Sequence, residues 1–288
     1  MRLAALILAC SSLSGQEIYD LLLKNGRVID PANHRDGHFD VAVVGKSIAR
    51  VAPDLPAAHA RVVVDVSGYM ITPGLIDINT HLGAPLKPDY NTLPYGVTTV
   101  VDAGTATCET FPEFKKDVID HAKVRVLAYI AGGAECVSKV GRENREAVVG
   151  VAPDTSHLEF NKILPETISS GMDWKTILIP RTNMASAMSI YLALGMTAEQ
   201  IIERVTSKPA AAIKRPQLGT LNEGSVADIA VFEIQQGKFG FVYSDRTRLD
   251  ATRRFRCLLT VRNGVIVWDS EGLSVPDTSK AGPYTNFK

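Results

Sequence analysis

Asp77, Asn79 and His81 stand at every second position in the run Ile71-Thr72-Pro73-Gly74-Leu75-Ile76-Asp77-Ile78-Asn79-Thr80-His81-Leu82. Successive side chains of a strand alternate between faces, so these three share one face and converge at the strand's carboxyl end. In a parallel α/β barrel that is where active sites form. A carboxylate, an amide oxygen and an imidazole in that position could hold a divalent cation or move a proton. The plainer alternative for a single histidine at a strand end is a hydrogen-bonded rim residue. His34, His38, His59 and His121 fall in β-rich stretches or on a helix and read as surface residues, and His157 reads as part of a loop. Cys108, Cys136 and Cys257 are far apart, with no Cys-x-x-Cys pair. They read as small buried apolar residues rather than a disulfide framework or a zinc cluster.

The elements that would carry these residues fall into two kinds. Tyr19–Lys24, Asn25-Gly26 and Arg27–Asp30 read as a hairpin around a type I′ turn, because Asn-Gly tolerates positive φ at both central positions. Asp40–Val44 and Arg61–Asp65 follow as strands. A matching β-rich block closes the chain: Asp228–Phe232, Phe239–Tyr243, and Cys257–Arg262 joined through Asn263-Gly264 to Val265–Trp268. Each block alone has too few strands for a core, so the two ends are expected to form one β-sandwich. Between them, Gly96–Gly104 is a continuous β-branched run of the kind a doubly buried parallel strand needs. The amphipathic stretch Phe111–Ala122 and the apolar run Val124–Ile130 complete a βαβ unit. Asn183–Leu194 reads as a helix, Thr197-Ala198-Glu199-Gln200 as a capping box opening the next one, and Pro209 suits the first turn of a third.

Lys plus Arg and Asp plus Glu are both 31, so the formal net charge is zero, and a nucleic-acid partner or an anionic membrane has no electrostatic support. A small-molecule ligand remains open. With 45% apolar and 22% charged residues the chain can bury a sizeable core. Residues 1–16 show one positive charge, a short apolar run and then small residues, the order of a secretory signal peptide. The expectation is export to the periplasm or the extracellular space. Ile7-Leu8-Ala9-Cys10 resembles a lipobox, which would place a lipid anchor on Cys10.

Pro73-Gly74-Leu75-Ile76-Asp77 followed by x-Asn79-x-His81 resembles the Pro-Gly-Leu-Ile-Asp-x-His-x-His signature of the amidohydrolase superfamily of metal-dependent hydrolases. The likeness continues through Gly96–Gly104, Leu164–Ser169 and Leu218–Ile229, and it is closest to the amidohydrolase/deacetylase branch related to dihydroorotases. The resemblance implies an α/β fold, a (β/α)8 barrel of the TIM type flanked by a β-sandwich from both chain ends. It implies zinc or another divalent metal, and hydrolysis of non-peptide C–N bonds (amide, N-acyl or cyclic amide) or of related esters. An ion of that kind lowers the pKa of bound water, and an aspartate takes the proton.

Carried over residue by residue, the family's metal ligands mostly find other residues. Asn79 stands for the first histidine, and His81 matches the second. Ala152 stands where the bridging lysine is expected, and Gly171 where the eighth-strand aspartate is, with Asp173 two residues on as a substitute catalytic candidate. Residues 71–215 amount to 145, whereas a complete barrel typically takes about 250. The expected architecture is therefore an incomplete barrel over 71–215 beside a sandwich of 17–70 and 216–288, its exposed barrel edges open to cover by a second copy. Three readings follow: a metal-dependent hydrolase, a non-catalytic binding or interaction remnant, and a mononuclear enzyme pairing His81 with Asp77, Asp102 or Asp173.

Overall fold

The computed structural model describes residues 18–83, 88–130, 134–148, 165–173, 183–242 and 248–275. The expected signal peptide with Cys10, and also Ala152 and His157, lie outside the described residues. The first five strands are β1 (Tyr19–Asp30), β2 (Arg35–Val44), β3 (Ser47–Ala52), β4 (Ala60–Asp65) and β5 (Met70–Pro73). Then come β6 (Leu75–Thr80), β7 (Val97–Asp102), α1 (Phe111–Asp117), β8 (Arg125–Tyr129), α2 (Ala134–Glu143) and β9 (Ala147–Val148). Helices α3 (Met184–Ala193), α4 (Ala198–Val205) and α5 (Ser207–Ala212) precede β10 (Ile229–Val242), β11 (Arg248–Arg262) and β12 (Val265–Asp269). No helix among the described residues is long and apolar enough to cross a membrane.

Both chain ends enter one mixed eight-stranded sheet, ordered β12-β11-β10-β5-β1-β2-β3 with β4 beside β1. The seam is the antiparallel pairing of β5 with β10, from Ile229 opposite Pro73 to Phe232 opposite Met70. One face of these strands closes on a shared core that includes Leu21, Leu23, Val41, Ile71, Val231 and Leu259. Removing each such side chain from water contributes roughly 1.5–3 kcal/mol as an upper estimate, so neither end has reason to fold without the other.

Two expectations about these strands are corrected. The first Asn-Gly makes no hairpin: β1 runs straight through it with a bulge, Leu23 facing Val41 and Gly26 facing Phe39. Lys24 and Asn25 together face Asp40, with Asn25 at φ 66°, and the Asp40 carboxylate accepts from Lys24 Nζ at 2.6 Å and Asn25 N at 2.8 Å. The bulge is also where β1 changes partner, from β4 on its first half to β5 on its second. A Cβ on Gly26 would lie 2.6 Å from the Ile71 side chain, so this close approach needs glycine. The second correction is that the two runs expected to begin at Asp228 and Phe239 are, as far as Val242, one long strand, β10, with a register shift between Gln236 and Phe239. By contrast, Asn263 and Gly264, at φ 52° and 77°, do form the tight turn between β11 and β12.

The middle of the chain builds a parallel sheet ordered β6-β7-β8-β9. Val100 and Val126 pack with α1, α3 and α4 on one side, through Phe111, Phe114, Met188, Ile201 and Ile202. Ile76, Ile78, Val101 and Leu127 pack with Ala210, Ile213 and Leu218 on the other. The helix signals hold. Asn183 Oδ1 accepts from Ser186 N at the start of α3, and Thr197 with Gln200 forms the complete capping box of α4. A buried ionic knot ties the two sheets together. Asp228, 1% exposed, accepts from Arg125 Nη1 of β8, from Asn263 N at 2.8 Å and from Arg262 Nη1 at 3.4 Å.

Candidate functional site

Strand β6 occupies an edge of the parallel sheet, with Asp77 opposite Val100 and Thr80 opposite Asp102 of β7. Its alternation places Ile76 and Ile78 in one core, while Asp77 and Asn79 take the other face. Exposure rises along that face: Asp77 is buried, Asn79 half-buried, and His81, one residue past the strand, exposed. The three residues singled out by spacing therefore do lie along one strand end. They are not equivalent, because only the last is exposed.

Along the free edge of β6 runs the segment 168–172. Backbone bonds fix it at both ends, Ile168 N to Arg204 O at 2.9 Å and His81 N to Met172 O at 2.8 Å. Ile168 and Met172 are each 1% exposed. Between them Ser169 Oγ donates to Asp77 Oδ1 at 2.5 Å and to the Asn79 carbonyl at 3.1 Å, Ser170 N donates to Oδ1 at 3.2 Å, and Ser170 Oγ donates to Oδ2. Burial pushes the Asp77 carboxyl above the ordinary carboxylate range, and the two hydroxyls and the Ser170 amide only partly counter it. Ser169 and Ser170 were not among the residues that spacing singled out. The signal was present in the stretch leading up to Gly171, whose φ of 64° marks the turn that brings the two serines onto Asp77.

The remaining candidates have other work. Asp102 holds the loop after β7, accepting from Leu82 N at 2.9 Å, Thr105 N at 2.7 Å and Ala106 N at 3.3 Å. Asp173 is half-buried and already engaged in an interaction of its own. Two cysteines read as isolated apolar residues are not: Cys108, after β7, and Cys136, in the first turn of α2, are paired as a disulfide with Cα atoms 5.9 Å apart. Their 28-residue separation in sequence hid a proximity created by neighbouring parallel strands, whose following loops meet at the same end. Cys257 is buried as expected, and burial raises its thiol to about 12. His34, His38 and His121 are exposed and His59 is half-buried.

A catalytic zinc normally takes three protein ligands from imidazole, thiolate or carboxylate. Among the described residues no three His, Cys, Asp or Glu side chains are grouped to hold a metal ion. Asp77 has its oxygens filled by serine hydroxyls and an amide, and Asn79 offers only a neutral amide oxygen. The described residues do not fit the metal centre that the resemblance implies, and no ligand set is assigned to His81, Asn79 and Asp77.

Comparison with known proteins bears on the same elements. A profile of the amidohydrolase family matches residues 183–268, from the N-cap of α3 to β12. A dihydroorotase of Streptococcus pyogenes serotype M3 is 42% identical over 89 residues, 28% of this chain and 21% of that protein. A dihydroorotase of Syntrophotalea carbinolica is 28% identical over 161 residues, 50% of this chain and 38% of that protein. The matched stretches thus span about a fifth and under two-fifths of these relatives' lengths. In three dimensions, a dihydroorotase crystal structure superposes with a TM-score of 0.73 at 18% identity, covering 87% of this chain and 99% of that one, a likeness of fold. These likenesses, a family profile over residues 183–268, partial sequence matches to dihydroorotases and a shared fold, support an amidohydrolase-superfamily, dihydroorotase-like reading of the chain.

Proposed function

We propose that the protein hydrolyses a non-peptide C–N bond, in a cyclic amide or N-acyl compound, at the carboxyl end of the parallel sheet. The observation that carries this reading is the position of His81, an exposed imidazole at the end of the motif strand with its backbone held by Met172. The dihydroorotase likenesses support the substrate class. In this reading Asp77, Ser169 and Ser170 make the floor, fixing the segment 168–172 against β6, and His81 is the side chain able to exchange a proton with substrate or water at the rim. No step is routed through a metal ion, since the described residues do not form a site for one.

The second reading, a non-catalytic member that binds without turnover, rests on Asn79 standing where the resemblance expects a histidine. The dihydroorotase likenesses weigh against it. A direct test assays the purified chain on dihydroorotate, hydantoin and N-acetyl amino acids, with and without added zinc and after EDTA treatment, beside His81→Ala. Turnover lost on His81→Ala supports the first reading. Turnover untouched by that change refutes the role given to His81, and no turnover on any substrate leaves binding alone. Metal content decides the ligand question separately: well under one equivalent of bound zinc is expected, and a stoichiometric, EDTA-sensitive ion would show that a site exists.

A further inference from the structure

The long β10–β11 hairpin carries a second concavity, built from residues that take no part in the Asp77 site. It is an open concavity of about 540 Å³, floored by Leu192 and Ala193 at the end of α3 and walled by Lys238, Phe239, Arg248, Asp250 and Arg253. Its lining sets three cations, Lys238, Arg248 and Arg253, against one carboxylate, Asp250. Five arginines fall between positions 246 and 256 of a chain whose net charge is zero. Arg248 is partnered by Asp250 at 2.6 Å, and Arg254 is occupied by Gln235 at 2.8 Å and by the Phe239 ring, 4.6 Å from its centroid. Lys238 and Arg253 have no acidic partner among the described residues.

The local backbone explains why these two cations face an opening. The register of β10 against β11 shifts between Gln236 and Phe239, just after Gln236 faces Arg253, and a bulge of this kind re-aims the side chains beside it. Phe239 folds back over the irregularity, so that a Cβ on Gly237 would lie 2.8 Å from its ring. Arg248 lies across Gly240, where a Cβ would stand 3.2 Å from its Nε. The carboxyl end of α3 lies at the cavity, and its partial negative charge would weakly oppose an anion. Its last carbonyls are already taken, however, by Leu194 N on Ile190, Gly195 N on Leu192 and Met196 N on Tyr191. Two cations with no acidic partner among the described residues outweigh what is left.

We propose that this cavity binds a small organic anion, with a phosphate or carboxylate head between Lys238 and Arg253 and an apolar body on Leu192, Ala193 and Phe239. A guanidinium offers such a head two parallel N–H donors, and the ammonium adds a point charge. The limited volume and the pairing of Arg248 and Arg254 favour a small ligand over a nucleic-acid strand, which needs a continuous basic groove.

Calorimetric titration of the whole chain with phenyl phosphate, phenylacetate and inorganic phosphate tests this. Saturable binding of one phenyl phosphate per chain is expected, tighter than inorganic phosphate, with phenylacetate telling a phosphate site from a carboxylate site. Lys238→Gln and Arg253→Gln should each weaken it about tenfold, the scale of one charge-assisted hydrogen bond, while Arg61→Gln, on the exposed edge strand β4, should not. All three changes are on exposed side chains, and circular dichroism checks that each variant is folded. Affinity unchanged in both cavity variants, no saturable binding at millimolar probe, or a single-stranded oligonucleotide bound more tightly than phenyl phosphate would each overturn the proposal.

Discussion

The two sheets are held together in opposite ways. The mixed sheet is long-stranded, with 14 residues in β10 and 15 in β11, and its core is almost wholly aliphatic. Of its buried carboxylates Asp30, Asp40 and Asp228, the last makes the join to β8. Among the described residues the parallel sheet is short-stranded, none of its strands exceeding the six residues of β6 and β7, and it is trimmed by local devices: the Asp102 loop cap, the serine clasp on Asp77 and the Cys108–Cys136 pair. In the first region sequence-distant strands pay the entropy of ordering through area, and in the second through polar anchors at the carboxyl ends. The lesson is that the polar residues of the candidate site are largely consumed in holding it together, which leaves His81 as its solvent-facing group.

Cutting the join gives the largest expected effect. Asp228→Ala strands two arginine side chains in a buried place and should cost about 3–5 kcal/mol, read by urea denaturation. Hydrogen exchange should then show loss of protection in both sheets, whereas loss confined to one would break the picture of a shared knot. Next comes the disulfide: Cys108→Ser, or reduction, frees a 28-residue loop and should lower stability by about 3 kcal/mol in the chain-entropy account. An unchanged unfolding midpoint would mean the parallel sheet does not depend on its staple.

Asp77 gives a smaller and pH-dependent effect. Its folded-state pKa is raised, so the folded protein keeps that proton to higher pH than the unfolded chain. The associated stability is complete below the ordinary carboxylate range and is lost as pH climbs through the raised folded value. Asp77→Asn should leave stability near the acid end within about 1 kcal/mol and flatten the decline toward neutrality. A decline of undiminished slope would assign it to other groups. Thr197→Ala, which removes one half of the α4 capping box, should cost about 1 kcal/mol in thermal unfolding. The smallest effect belongs to Arg27→Gln at the exposed contact with Asp36 and Glu199, at most about 1 kcal/mol and fading with added salt.

How much of this could be read in the residues depends on the range of the interaction. The capping box, the α3 N-cap and the strand alternation around Asp77 are local, and they appear where the pattern puts them. The two Asn-Gly pairs show where local reading stops. Asn263-Gly264 turns a hairpin, while Asn25-Gly26 takes a positive φ only to form a bulge, because β4, β5 and Asp40 compete for the same backbone. The serine clasp and the cysteine pair were hidden for the related reason that separations of 92 and 28 residues carry no periodicity. The family motif located the strand end, but not which side chains there were already engaged.

The seam between β5 and β10 also sets a timetable. Thr72 and Ala230 are 158 residues apart, so on a ribosome adding about 5–20 residues per second the edge of β5 stays open for on the order of ten to thirty seconds before its partner exists. Through that interval Met70 and Ile71 have no strand to cover them on that side. Whatever shields nascent hydrophobic edges in the cell must therefore hold this one until β10, in the last fifth of the chain, has emerged.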